Sequence, residues 1–305
     1  MASQVPAVQA ASSMTSALRF MSYNARYDSK PDSISVQQSL DALSQGLPSA
    51  PVYYGNMTEQ PWSLRRLYIA NDILFNQIEL LGAQELLKRQ VDDLATLLGP
   101  EYSWIGVGRD DGKEKGEYAA IFYKTSSVVL NSWDTFWLTD TPFEPSKYPN
   151  AGSYRVCTTA RFTTTSDSPI SFTMLNTHLD DQSADQRALG LSLVLRRAKY
   201  EAIKTHNPVM LTGDFNSPPS DDAYRIITGT KSPRPLNETF LDRYSWSHSE
   251  GASFENFTMK DLLGQGEPRY RIGSNFATFT GFQPIGDIND FERIDYIMAD
   301  SSSGS

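Results

Sequence analysis

Cysteine is nearly absent: Cys157 is the single one among 305 residues. No disulfide can form within the chain, and nothing calls for an oxidising compartment or a Cys/His zinc cluster. Histidine is scarce as well, so imidazole chemistry falls to His178, His206 or His248. Basic charge is outweighed, with 27 Lys and Arg against 36 Asp and Glu and a net charge of -9. Such a balance offers no chain-wide attraction for polyanions and disfavours a processive grip on long nucleic acid. Long apolar runs are missing too. No segment reaches the length of a membrane span, and the first twenty residues lack the basic and apolar regions of a secretory signal. The expectation is an intracellular protein, cytoplasmic or nuclear, with no membrane partner and no evident obligate protein partner. Under that expectation the Asn-x-Thr triplets at Asn56, Asn237 and Asn256 carry no weight.

What is present reads as one domain. Residues 1–17, rich in Ala and Ser, look like a disordered leader, 18–300 like the folded body, and 301–305 like a short tail. Residues 30–60 read as an inserted loop. Apolar spacing predicts helices over 62–76 and 86–98, the second stopped by Gly99-Pro100, and a long helix over 183–205. Strand-like runs fall at 102–107, 119–124, 127–138, 155–163 and 170–177. Strand-rich stretches broken by a few amphipathic helices imply two sheets packed face to face with helices outside. Aromatic residues make up 11% of the chain, and a sheet core absorbs most of them, Trp104, Trp133 and Trp137 included. Basic clusters at Arg65 and Arg66, at Lys113 and Lys115, and at Arg196, Arg197 and Lys199 read either as solvated helix faces or as phosphate contacts, the former being commoner.

Polar residues recur at the ends of apolar strands. Pro208–Thr212 runs into Gly213, Asp214, Phe215 and Asn216; Leu80–Ala83 into Gln84 and Glu85; Phe172–Leu175 into Asn176, Thr177 and His178. Leu18–Tyr23 leads into Asn24 and Arg26, and Arg293–Ile297 opens a last apolar stretch around Asp295. Each junction alone is also how an ordinary strand-to-turn boundary is written. Five together suggest one shared site.

Taken in order, SYNARYD (22–28), GAQE (82–85), GRDDGKEKGEY (108–118), NTHLDD (176–181), GDFN (213–216) and RIDY (293–296) resemble the endonuclease/exonuclease/phosphatase superfamily of metal-dependent phosphoesterases, which includes DNase I-like and carbon-catabolite-repressor-type deadenylase enzymes. Residues 59–85 are similar to a fungal-type branch. The resemblance implies a four-layer α/β/β/α sandwich of two mainly antiparallel sheets. It implies Mg²⁺, or Mn²⁺, held by Glu85 with Asn24 and Asp295, since hard cations take carboxylate oxygen. Asp214 would orient or deprotonate the attacking water, while Asn216 and His178 would act on the phosphate. Arg109 would grip phosphate bidentately from a closing loop, or else belong to a charged surface hairpin turning at Asp111-Gly112. Glu85 could instead be a first-turn helix acid, and Asp295 a partner of Arg293. The substrate would be a phosphate ester, either a small molecule or an RNA or DNA end, with 3'-5' exoribonuclease activity as one option.

Members of the superfamily carry a Ser-Asp-His motif and a core strand beyond the RIDY segment, whereas here Ala299-Asp300 is followed by SSSGS and no His follows His248. The expectations are impaired catalysis and a sheet lacking its last strand. A non-catalytic phosphate- or metal-binding module and an inactive truncated product stay open beside the enzyme.

Overall fold

The computed structural model describes residues 17–43, 59–265, 277–282 and 288–301. Residues 1–16 of the expected leader, 302–305 of the tail, and 44–58 of the 30–60 segment, Asn56 included, lie outside the described residues. Within 30–60 the described part is not all loop, because helix α1 (Val36–Leu43) forms there.

The chain folds into two packed sheets flanked by helices, the α/β sandwich that the motif order implies. One sheet has the order β1 (Phe20–Asn24), β2 (Leu80–Leu86), β4 (Tyr118–Lys124), β3 (Tyr102–Ile105). The other runs β5 (Val128–Trp137), β6 (Val156–Thr164), β7 (Ser171–His178), β8 (Val209–Asp214), β10 (Asp295–Asp300), β9 (Met259–Asp261). The β1–β2 and β7–β8 pairs are parallel and the remaining pairs antiparallel. Among the described residues β1 has no partner on its outer edge. None of the described helices is long and apolar enough to cross a membrane.

Strand periodicity builds the layers. Alternate residues of a strand face opposite ways, so Leu81 and Ala83 meet helices α2 (Trp62–Phe75) and α3 (Lys88–Leu98), while Leu80 faces the second sheet among Ile121, Phe162 and Met174. On the far side Leu175, Val209 and Leu211 pack under α4 (Ala184–Thr205), whose Leu191, Val194, Leu195 and Ala198 complete the largest core cluster. Ser183 caps α4 by accepting from the Gln186 amide, and His206 closes it in the left-handed conformation. Short helices α5 (Asp222–Ile227), α6 (Glu238–Arg243), α7 (His248–Gly251) and α8 (Leu262–Gln265) fill the connections before β10. His206 and His248 thus serve helix ends.

A polar knot joins the two sheets directly beneath the strand ends. Gln84 Nε2 donates to Asn176 Oδ1 at 2.7 Å, and Asn176 Nδ2 donates to the carbonyls of Ala83 at 3.0 Å and Ala120 at 2.8 Å. Thr212 Oγ1 donates to Asn176 Oδ1 at 3.1 Å. Gly82 makes room for it, since a Cβ there would lie 2.0 Å from Thr212 Oγ1 and 2.6 Å from Asn176 Oδ1. Gly82→Ala is expected to destabilise the fold by about 2–3 kcal/mol, read as a lower urea midpoint with an unchanged slope.

Several singled-out basic residues are structural. Arg66 is fully buried and bridges Asp93 at 2.8 Å; Arg65 ties down the Ala25, Arg26 and Tyr27 carbonyls; Arg197 pairs with Asp134 and Glu201, each at 2.9 Å.

Candidate active site

The polar strand ends converge on one cavity of about 670 Å³ at the open end of the sandwich. Asn24, Glu85, Arg109, His178, Asp214, Asn216 and Asp295 all line it. Strand parity explains most of this. Asn24 shares a face with Phe20, His178 with Met174 and Asn176, and Asp214 with Met210 and Thr212, so each points between the sheets at its strand's carboxyl end. Asp295 stands directly opposite Asp214 in the β8–β10 ladder and so emerges on the same face.

Glu85 is the exception. By alternation it would follow Leu81 and Ala83 toward the helices. A register shift between Ala83 and Leu86 interrupts β2, and Glu85 adopts φ 62°, which returns its carboxylate to the cavity. It lies within the strand, three residues ahead of α3, and is not a first-turn helix acid. Arg26 (φ 56°) and Asn216 (φ 46°) are left-handed as well. Non-glycine residues in that region carry backbone strain, and strained positions concentrate at functional sites.

The groups form a connected lattice. Asn24 Nδ2 donates to Glu85 Oε1 at 2.9 Å and to Asp214 Oδ2 at 2.8 Å, while its Oδ1 accepts from Arg26 N at 2.8 Å. Tyr27 N donates to Glu85 Oε2 at 3.1 Å, and Asn216 N donates to Asp214 Oδ1 at 2.8 Å. Glu85, His178 and Asp214 each offer one ligand atom within 4.8 Å of the others. Burial, and then the Asp214 charge across the ladder, push the Asp295 carboxyl up to about 7. Its Oδ1 is buried with no hydrogen-bond partner among the described residues. Crowded, desolvated carboxylates with an orphaned oxygen fit a divalent cation, which would supply the missing positive charge. Arg293 does not supply it, because its guanidinium meets Asp261 and lies 4.7 Å from the Tyr296 ring.

His178 is fixed by a residue with no motif. Arg155 NH1 lies 3.1 Å from His178 Nδ1, and a guanidinium can only donate. Arg155 thus steadies the ring at Nδ1 and leaves Nε2 facing the cavity. Asn216 Nδ2 lies 3.0 Å from that Nε2 and also donates to the Leu179 carbonyl at 2.9 Å. Glu85 Oε1 and Asp214 Oδ2 lie 4.0 and 3.9 Å from the same Nε2, so the His–Asn pair sits beside the carboxylates.

Arg155 is itself held by Asp181 at 2.8 Å and by the fully buried Asp180 at 3.1 Å. Asp180 also accepts from the amides of Gly152, Ser153, Gln182 and Ser183 at 2.9–3.1 Å. Burial opposes its charge, but the Gly152 amide and Arg155 prevail and hold its carboxyl below the ordinary range. That stabilisation is complete above the unfolded value near pH 4 and is lost as pH falls through the depressed folded value. Asp180→Ala is expected to cost about 3 kcal/mol at neutral pH, measured by urea unfolding, with the difference from the unmutated protein shrinking in acid.

Arg109 reaches the cavity, but both terminal nitrogens are engaged by Glu117, at 2.6 and 2.9 Å. Burial opposes the charge of Glu117, yet the His178 ring and Arg109 keep its carboxyl low. The bidentate grip expected on phosphate is spent on a carboxylate, which stiffens the 108–118 loop. Tyr27, from the SYNARYD run, also lines the cavity, as do Arg155 and Phe282, which had no sequence signal: Arg155 is a lone basic residue before a strand, and Phe282 follows a Gly in a loop.

A two-sheet sandwich with clustered carboxylates beside a His–Asn pair at the strand ends is the arrangement the motif order led one to expect. The chain belongs to the endonuclease/exonuclease/phosphatase family, whose model matches residues 21–304. A comparison with curated proteins gives no match. Among solved structures, an endonuclease/exonuclease/phosphatase from Bacteroides vulgatus is 28% identical, with a TM-score of 0.64, over 92% of this chain and 86% of that one. The mannosyl-6-phosphatase Bt3783 of Bacteroides thetaiotaomicron is 27% identical, with a TM-score of 0.66, over 94% and 86% of the two chains. The human Nocturnin catalytic domain shares the fold at 16% identity and a TM-score of 0.55, over 92% and 82%.

Proposed function

We propose that the chain hydrolyses phosphate esters of small molecules in a divalent-metal-dependent reaction. The observation that carries this reading is the placement of the His178–Asn216 pair, Nε2 and Nδ2 3.0 Å apart, beside the Glu85–Asn24–Asp214 lattice. Magnesium held by Glu85 with Asn24 and Asp295 would neutralise the phosphate oxygens and stabilise the leaving oxygen. Asp214 is oriented by Asn24 Nδ2 and Asn216 N and takes a proton from the attacking water. As the water oxygen bonds to phosphorus the ester P–O bond breaks, and the alcohol leaves on the opposite side. His178 donates to a non-bridging oxygen through Nε2.

The small-substrate preference rests on charge. Arg26, Arg109 and Arg155, the cations of the cavity, are each paired with carboxylates: Glu59 and Glu85, Glu117, and Asp180 and Asp181. Among the described residues that line this cavity no basic side chain is left unpaired for a long polyanion, in keeping with the net charge of -9. The mannosyl-6-phosphatase identity of the Bacteroides thetaiotaomicron neighbour points the same way. The test is kcat/KM with magnesium on mannose 6-phosphate, an aryl phosphate and oligoadenylate. Higher values on the small esters are expected; preference for the oligonucleotide would make the exoribonuclease reading the correct one. Glu85→Gln should raise the magnesium concentration for half-maximal activity by about tenfold or more.

A further inference from the structure

A second cavity, of about 540 Å³, opens beside the outer face of α4 and shares no lining residue with the catalytic one. Its walls carry four cations, Arg196, Lys199, Lys231 and Arg234, against one acid, Glu255. Two of the four are paired with carboxylates, Lys231 with Asp222, and Arg234 with Asp185 at 2.6 Å. The basic run at 196–199 divides by helix geometry. Arg197 turns inward to Asp134 and Glu201, while Arg196 and Lys199, three residues apart, face the cavity.

Neither of these two cations forms a salt bridge with a carboxylate among the described residues. Arg196 donates only to the carbonyls of Tyr244 at 3.1 Å and Leu241 at 3.4 Å, and it stacks 3.6 Å from the Trp246 ring. The one hydrogen bond of Lys199 is a long 3.5 Å contact to the Glu255 carbonyl, with its ammonium 5.5 Å from the same indole. Burial, together with the neighbouring Arg196 charge, lowers the Lys199 pKa. Two partly buried cations with no ion pair among the described residues, and only the Glu255 carboxylate acting on Lys199, carry an electrostatic cost that an anionic ligand would remove. Leu195, Ile226 and Phe257 supply an apolar floor, and the volume lies in the range of small-molecule sites.

We propose that this cavity binds a small phosphate-bearing ligand, its phosphate on Arg196 and Lys199 and its remainder against the apolar floor. The site is separate from catalysis and does not depend on the proposed reaction. Free inorganic phosphate and a phosphorylated metabolite present the same group, and the apolar floor favours the metabolite.

The test is calorimetric titration of the full chain without added metal, using inorganic phosphate, mannose 6-phosphate and AMP as probes. Asn216→Ala should keep binding at this site, whereas Arg196→Met/Lys199→Met should weaken it by about tenfold or more. Lys199→Met alone removes no strong internal contact, so it tests the idea in a folded protein, with an expected loss of roughly fivefold. Binding of the organic phosphates but not of phosphate itself would assign a metabolite, and the reverse would assign the free ion. Equal affinity in Lys199→Met and the unmutated protein, no binding of any probe, or complete loss in Asn216→Ala would each overturn the proposal.

Discussion

Asp214→Asn should lower kcat by about 10³-fold on any phosphate ester the protein cleaves, with KM changed only a few-fold. The substitution is nearly isosteric, so the hydrogen bonds that locate the side chain survive in outline. Asn216 N would still find an oxygen, but the amide would turn its NH₂ toward Asn24 Nδ2, which now donates to Asp214 Oδ2 at 2.8 Å. The proton acceptor for the attacking water is lost, and about 4 kcal/mol of transition-state stabilisation with it. Single-turnover kinetics would check the size of the effect. A drop of less than tenfold would remove Asp214 from the role of base.

Asn176→Ala should have the largest effect on stability, about 3 kcal/mol or more. Although Asn176 opens the NTHLDD motif, it does not line the cavity; it belongs to the knot between the sheets. Truncation leaves the buried Ala83 and Ala120 carbonyls without this donor and Gln84 and Thr212 without their shared acceptor, each unmet group costing about 1–3 kcal/mol. Chemical unfolding would measure it. A cost under about 1 kcal/mol would mean that water or a shift of the sheets repairs the gap.

The depth to which the sequence could be read follows from how local each feature is. Strands ending in GDFN or NTH were legible because an apolar run and its polar terminus lie next to each other in sequence, and strand parity carries those side chains to one cavity. Glu85 was legible as a residue but not as geometry, since its direction depends on a bulge and a left-handed backbone that no periodicity announces. Arg155 was not legible at all. Its importance comes from pairing across β6 and β7 with His178, Asp180 and Asp181, and pairing of that kind leaves no trace along the chain. The same reasoning covers Arg109, whose expected phosphate grip was taken by Glu117 eight residues away. Helices α5 to α8 and strand β9 escaped because elements of three to six residues are shorter than the window in which a helical or strand period can be recognised. Helix α1, within the segment expected to be loop, spans only eight residues and so just exceeds two turns.

The most direct test of the central claim is magnesium-dependent release of inorganic phosphate from mannose 6-phosphate and an aryl phosphate by the purified chain, with Asp214→Asn beside it. Turnover that disappears with chelator and falls about 10³-fold in the variant is the predicted result. Magnesium binding without turnover on any phosphate ester would contradict it and leave a phosphate-binding module. Turnover indifferent to both chelator and Asp214→Asn would place the chemistry elsewhere.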